Sequence, residues 1–160
     1  MRSVADFYQD CQAVAHAVPP LDVKLADAVS CVLAEDVQAP FNLPVADLSA
    51  CDGYAVRVRD CEGATLETPV TLPVTEEIRA GAVDPAALVP GTAIRIASGA
   101  PMPTGAEAVV SLEFTDHGIA QVALRTAPAS GENIRRRAED VAQGDTVLRS
   151  GTRIGARQMA

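Results

Sequence analysis

Tryptophan is absent from this 160-residue chain, and aromatic residues make up only 3% of it. A core without large rings must rest on Val, Leu, Ile and Ala. The apolar share of 48%, beside 21% charged residues, supplies them in ordinary globular proportion. Histidine is scarce too: with two in the chain, no Ser/His/Asp or Cys/His order is present, which argues against an independent hydrolase. The four cysteines, Cys11, Cys31, Cys51 and Cys61, contain no C-x-x-C pair and are not joined by a histidine cluster. That argues against structural zinc, and reduced thiols in a cytoplasmic protein are the simple reading. No signal segment opens the chain, and no apolar run approaches membrane-spanning length. Positive charge is in deficit, 13 Lys and Arg against 21 Asp and Glu, for a net charge of -8. Such a surface repels polyanions and argues against nucleic acid as a general partner. One local basic pocket remains compatible with it, and Arg135-Arg136-Arg137 is the only concentrated positive charge.

Eleven prolines and eleven glycines are plentiful, and they predict turns and short strands rather than long helices. The length suits one domain or two small ones. Ser3 can cap a first helix whose apolar residues Val4, Phe7, Tyr8, Cys11, Val14, Ala15 and Val18 form one face, with Pro19-Pro20 as its stop. That stripe predicts packing against this domain or a partner chain. Val32 to Val37 reads as a strand. Between Tyr54 and Leu124, short alternating runs predict strands at Tyr54–Arg57, Val70–Val74, Thr92–Ile96, Ala108–Ser111 and Ile119–Leu124, with Asp116-His117-Gly118 as a hairpin turn. Two further strands are expected around Thr146–Leu148 and Thr152–Ile154. Composition shifts near residues 45 and 127.

The stretch Ser49-Ala50-Cys51-Asp52-Gly53-Tyr54-Ala55-Val56 is the most informative. It sets a carboxylate between small residues and a glycine, a setting in which backbone can come close to a ligand. Asp52 can there act as base, metal ligand or hydrogen-bond acceptor. The plainer reading is an Asp-Gly turn entering a strand. Likewise, the arginine triplet beside Glu139 and Asp140 is either a solvated ion-pair cluster or a fork-donor site for phosphate. In an extended segment, Arg135 and Arg137 would face one ligand while Arg136 faces away.

Leu43-Pro44 through Val56 resembles the signature of the molybdopterin molybdenumtransferase family, to which the C-terminal region of gephyrin is related. Two later stretches agree in the same order: Arg95-Ile96-Ala97-Ser98-Gly99-Ala100-Pro101-Met102-Pro103-Thr104-Gly105-Ala106-Glu107-Ala108-Val109-Val110, and Gly131-Glu132-Asn133-Ile134-Arg135-Arg136-Arg137-Ala138-Glu139-Asp140-Val141 followed by Gly151-Thr152-Arg153-Ile154. The resemblance implies an α+β, β-rich fold in which a discontinuous α/β domain, residues 1–44 plus 128–160, receives an inserted small β module, residues 45–127. The family's larger C-terminal domains are not in this sequence, so the chain is expected to be an N-terminal portion, ending on the first turn of a helix and inactive alone.

The implied activity belongs to molybdenum cofactor biosynthesis: molybdenum passes from molybdate to adenylylated molybdopterin with release of AMP. Asp52, Ser98 and Asp140 are the implied catalytic residues, and Ser49, Gly53, Arg135 and Arg137 the implied substrate-binding ones. Mg2+ is the implied cofactor, its main ligands expected in the domains beyond this chain. A homodimer is the expected assembly, with no nucleic acid or membrane partner. The alternative is a non-catalytic dimerisation or scaffold module derived from the family. Several positions depart from the family pattern. Ser30-Cys31 replaces Gly-Arg, which suggests a different helix ending. Leu48 replaces Asn, Cys51 replaces Met, Ser98 replaces Thr and Ala138 replaces Gly. Glu113 matches a commonly acidic position and reads as structural.

Overall fold

The computed structural model describes residues 2–16 and 18–159. Its helices are α1 (Val4–Val14) and the short α2 (Ala156–Met159). Its strands are β1 (Val37–Gln38), β2 (Leu48–Ser49), β3 (Gly53–Val56), β4 (Val70–Ile78), β5 (Ala93–Ile96), β6 (Ala108–Ser111), β7 (Gln121–Leu124), β8 (Ile134–Arg135) and β9 (Thr146–Leu148). This is an α+β, β-rich fold. Among the described residues no helix is long and apolar enough to cross a membrane.

Two compact units divide the chain: residues 1–37 with 146–160, and residues 38–145. The first is therefore discontinuous and the second inserted, but the divisions fall outside the composition shifts at 45 and 127. The flanking segments join the inserted unit because they pair within it: Leu48 of β2 lies opposite Arg135 of β8, and Leu43 bridges Val141.

In the discontinuous unit, Ser3 and Asp6 close a capping box at the start of α1. The apolar stripe is there, yet no residue of α1 is buried; Phe7 is 60% and Tyr8 62% exposed. Intrachain packing of the stripe is thus corrected. The predicted strands at Val32–Val37 and Thr152–Ile154 shrink to β1 and a single bridge, Val32 to Arg153. Ser30 takes φ 69° while its amide donates to the Ile154 carbonyl at 2.8 Å. The serine thus adopts the left-handed backbone that suits glycine, rather than producing a different ending.

The inserted unit is built on a five-stranded sheet of order β6-β3-β5-β4-β7, antiparallel except for the parallel β4–β5 pair. Alternation along the strands splits its core between two faces. Tyr54, Val56, Ala93, Val110, Val122 and Leu124 pack on one. Ala55, Ile94, Ile96, Val109 and Leu88 pack on the other. Because both faces are covered, all four β3 residues are buried. β4 continues four residues past its predicted end at Val74, through Thr75-Glu76-Glu77-Ile78. Adjacent glutamates hide the strand from a pattern search, and the register shift between Val74 and Glu76 breaks its alternation.

Candidate functional site

Asp52 lies at the bend between β2 and β3, and the three motif stretches meet around it through main-chain bonds. The Ser49 amide donates to the Ala100 carbonyl and the Gly99 amide to the Ser49 carbonyl, both at 2.9 Å. The Ala50 amide donates to the Asn133 carbonyl at 2.9 Å. These contacts join residues 49–50, 99–100 and 133 into one frame. Gly53 is required by close approach rather than by turn geometry. It opens β3, and a Cβ there would sit 2.2 Å from the Val110 carbonyl oxygen.

Within this frame the Ser98 amide donates to Asp52 Oδ1 at 2.7 Å, while the Ser98 hydroxyl faces the Ala50 carbonyl at 3.4 Å. Asp52 and Ser98 are thus brought together, but through the serine's main chain. Oδ2 of Asp52 stays available. Ser49 is 1% exposed and gives its hydroxyl to the Cys51 carbonyl at 2.6 Å, so that group serves the frame.

Asp140 occupies a different hydrogen-bonded group. Arg135 Nη2 donates to Asp140 Oδ2 at 2.5 Å. Arg136 Nη1 and the Arg137 amide both donate to Asp47, at 2.7 and 2.8 Å. The Asp47 carbonyl in turn accepts the Met102 amide at 2.9 Å, so this residue ties together all three motif stretches. The Arg137 amide bond, with Arg136 beside it, holds the Asp47 carboxyl below its ordinary value against a smaller opposing effect of burial. The expected alternation of the triplet does not hold. Extended backbone stops at Arg135, and the chain turns at Arg137-Ala138 with Ala138 at φ 64°. Arg136 is committed to Asp47, and the Arg137 guanidinium has no carboxylate partner among the described residues.

A cavity of about 160 Å³ opens beside Asp52, lined by Asp52, Gly53, Glu77, Arg95, Ile96, Ala97 and Leu112. Asp47, Glu77 and Arg95 are residues that sequence reasoning did not single out for chemistry. Arg95 stood inside a motif stretch and was the readable one of the three. Cys51, adjacent to Asp52, is pushed up by burial and by the nearby Asp52, Glu113 and Glu132 carboxylates, partly offset by a hydrogen bond with Ser111. It is not an activated thiol. Glu113 sits exposed on the turn Leu112–Phe114 and takes no part in the cavity. Among the described residues no group of three or more His, Cys, Asp and Glu gathers to hold a metal ion. Asp52 can offer one free oxygen, and Glu77 has Oε1 at 3.4 Å from Arg79 Nε with Oε2 unengaged. That donor set does not by itself fit the six-oxygen shell of Mg2+.

Residues 2–160 match the family described as the MoeA N-terminal region (domain I and II). The chain belongs to that family. As a MoeA N-terminal region it is 50% identical over 151 residues to molybdopterin molybdenumtransferase 2 of Mycobacterium tuberculosis, covering 94% of this chain and 37% of that protein. It is 40% identical over 136 residues to the molybdopterin molybdenumtransferase of Bacillus subtilis, covering 82% of this chain and 32% of that one. The crystal structure of the molybdopterin biosynthesis MoeA protein from Pyrococcus horikoshii OT3 superposes with a TM-score of 0.80 at 37% identity, over 86% of this chain and 36% of that one. The chain thus spans about a third of the length of these relatives.

Proposed function

We propose that this chain is the N-terminal part of a molybdopterin molybdenumtransferase, contributing Asp52, Ser98 and Asp140 to the transfer of molybdenum from molybdate to adenylylated molybdopterin with release of AMP. The reading is supported by the names of the relatives and, within the chain, by one observation. Asp52 is fixed at the edge of a polar cavity by the Ser98 amide, with its second oxygen unengaged.

A carboxylate held in this way can accept a proton or orient a water molecule, and preorganisation by a main-chain donor keeps it in place before substrate arrives. Arg135 and Asp140 neutralise each other until a ligand phosphate competes for the guanidinium. Arg137 offers a guanidinium without that competition. The unburied stripe of α1 supports the expected homodimer, in which a second copy would cover it.

The test is Asp52→Ala in a full-length enzyme carrying this region. Insertion of molybdenum should fall by about 10²–10⁴-fold, the usual range for a general acid–base group, with the thermal midpoint held. Unchanged turnover would remove Asp52 from the mechanism.

A further inference from the structure

The β2–β8 ladder is two residues long, with Ser49 opposite Ile134 and Leu48 opposite Arg135. One step further along the same register, Asp47 stands opposite Arg136, where the chain leaves β8 for its turn. The Asp47 carboxylate carries the join past the end of the ladder. Its Oδ1 accepts the Arg137 amide at 2.8 Å and its Oδ2 accepts Arg136 Nη1 at 2.7 Å. Each oxygen is thus already engaged, which suits a holding role better than that of a base or a metal ligand. Beyond Arg137, the Ala138 amide donates to the Pro44 carbonyl and the Asp140 amide to the Leu43 carbonyl, both at 3.0 Å. Glu139 accepts the Arg136 amide at 2.7 Å and shapes the turn from within. The Asp47 carboxylate fixes the Arg137 end of that turn against the strand that leads to Asp52.

Exposure separates two readings of this residue. The Arg136 side chain is 55% exposed and that of Asp47 37%, and an ion pair so open to water contributes little by itself. The bonds to main chain carry more weight. Through its carbonyl Asp47 also holds the Met102 amide at 2.9 Å, on the loop after β5 whose Ser98 amide grips Asp52 at 2.7 Å. One residue therefore touches the turn that carries Asp140 with its side chain, and the loop that fixes Asp52 with its backbone. Two carboxylates can serve one ligand only if their separation is set, and a misplacement of about 1 Å costs on the order of 10²-fold in rate. We propose that Asp47 is a positioning residue of the transfer reaction, holding the Asp140 turn in register with the Asp52–Ser98 group. The assignment rests on the transferase reading above and adds to it a residue that acts through Arg137 and Met102 rather than on the substrate.

A full-length enzyme carrying this region is the material for the test. Asp47→Ala should lower kcat for molybdenum insertion about 10²-fold with KM within about threefold, because long arginine stems can still reach a ligand while the short Asp140 side chain cannot follow. Asp47→Asn keeps an oxygen for the Arg137 amide but gives up the ion pair, and should fall between, about tenfold below the parent. A cycle with Asp140→Ala separates positioning from a merely structural role: once the Asp140 carboxylate is gone, Asp47→Ala should lower kcat by less than about threefold more. Hydrogen exchange in the peptide 135–141 should quicken at least about tenfold in Asp47→Ala. A folded Asp47→Ala or Asp47→Asn enzyme with the parent's kcat, losses that multiply in the double variant, or unchanged exchange at 135–141 would each overturn the assignment. With Asp52→Ala still impaired, any of these would leave the transferase reading standing. Normal turnover by Asp52→Ala would defeat that reading, and the positioning role with it.

Discussion

Replacing Ala138 by glycine should stabilise the unit that carries Asp52. Ala138 sits at φ 64°, with its amide donating to the Pro44 carbonyl at 3.0 Å; Asp140, two residues on, donates to the Leu43 carbonyl at the same distance. The bonds on either side fix the turn, so the alanine cannot relax toward negative φ without giving them up. An L-residue in this region costs about 1–2 kcal/mol through the approach of Cβ to the following carbonyl. Glycine removes that cost but brings about 0.5–1 kcal/mol of extra freedom in the unfolded chain. The net gain is about 0.5–1 kcal/mol, equivalent to roughly 1–4 °C in the thermal midpoint for a chain of this size. Urea unfolding followed by tyrosine emission is a direct assay. Trp is absent, and of the two tyrosines only Tyr54 is buried, in the unit concerned. The midpoint should rise at constant slope, and Ala138→Val should lower it, because branching at Cβ worsens the same clash. A lower midpoint for Ala138→Gly would refute the reasoning, since it would mean that the left-handed turn carries no strain to relieve.

Three further outcomes follow from contacts described above. Gly53→Ala should destabilise by about 2–3 kcal/mol, because the new methyl meets main-chain rather than flexible side-chain atoms at 2.2 Å; a loss under about 0.5 kcal/mol in urea titration would contradict the close strand approach. The Asp47 carboxyl is held below its ordinary value, so its stabilisation is present above the unfolded pKa and disappears as pH falls through the lower folded one. Asp47→Asn should therefore lose less stability than the parent when urea midpoints at neutral pH are compared with those at roughly pH 4 and below. Cys61 is buried, and burial followed by the neighbouring Asp60 pushes its thiol up to about 11. A thiol reagent at neutral pH should modify the exposed Cys11 and Cys31 and reach Cys61 only on unfolding, an order that peptide mapping would check.

What could be read from the sequence was local. The strands at 108–111 and 146–148 fell at their expected positions, since each is a short run rich in β-branched residues. The Asp52 stretch was legible because small residues and a glycine flank its carboxylate, whereas Ser98 was pointed to by the family resemblance alone. Tertiary pairing decided the rest. Asp47 was not singled out, since its three partners lie 55, 89 and 90 positions away at Met102, Arg136 and Arg137. The second half of β4 was hidden because Glu76 and Glu77 satisfy neither period. The facing of the arginines failed for want of one fact, that Ala138 would adopt the left-handed turn glycine normally takes and end the extended run at Arg135.

The bonds that hold the three motif stretches together run mostly from amide to carbonyl, and even Asp52 is gripped by the main chain of residue 98 rather than by its hydroxyl. A scaffold of that kind is indifferent to much of what the side chains are. Serine for threonine at 98, cysteine for methionine at 51 or alanine for glycine at 138 can accumulate while the backbone still closes in the same way. The region therefore behaves as a mould into which different side chains can be set. Variation there should change what the pocket holds well before it changes whether the protein folds.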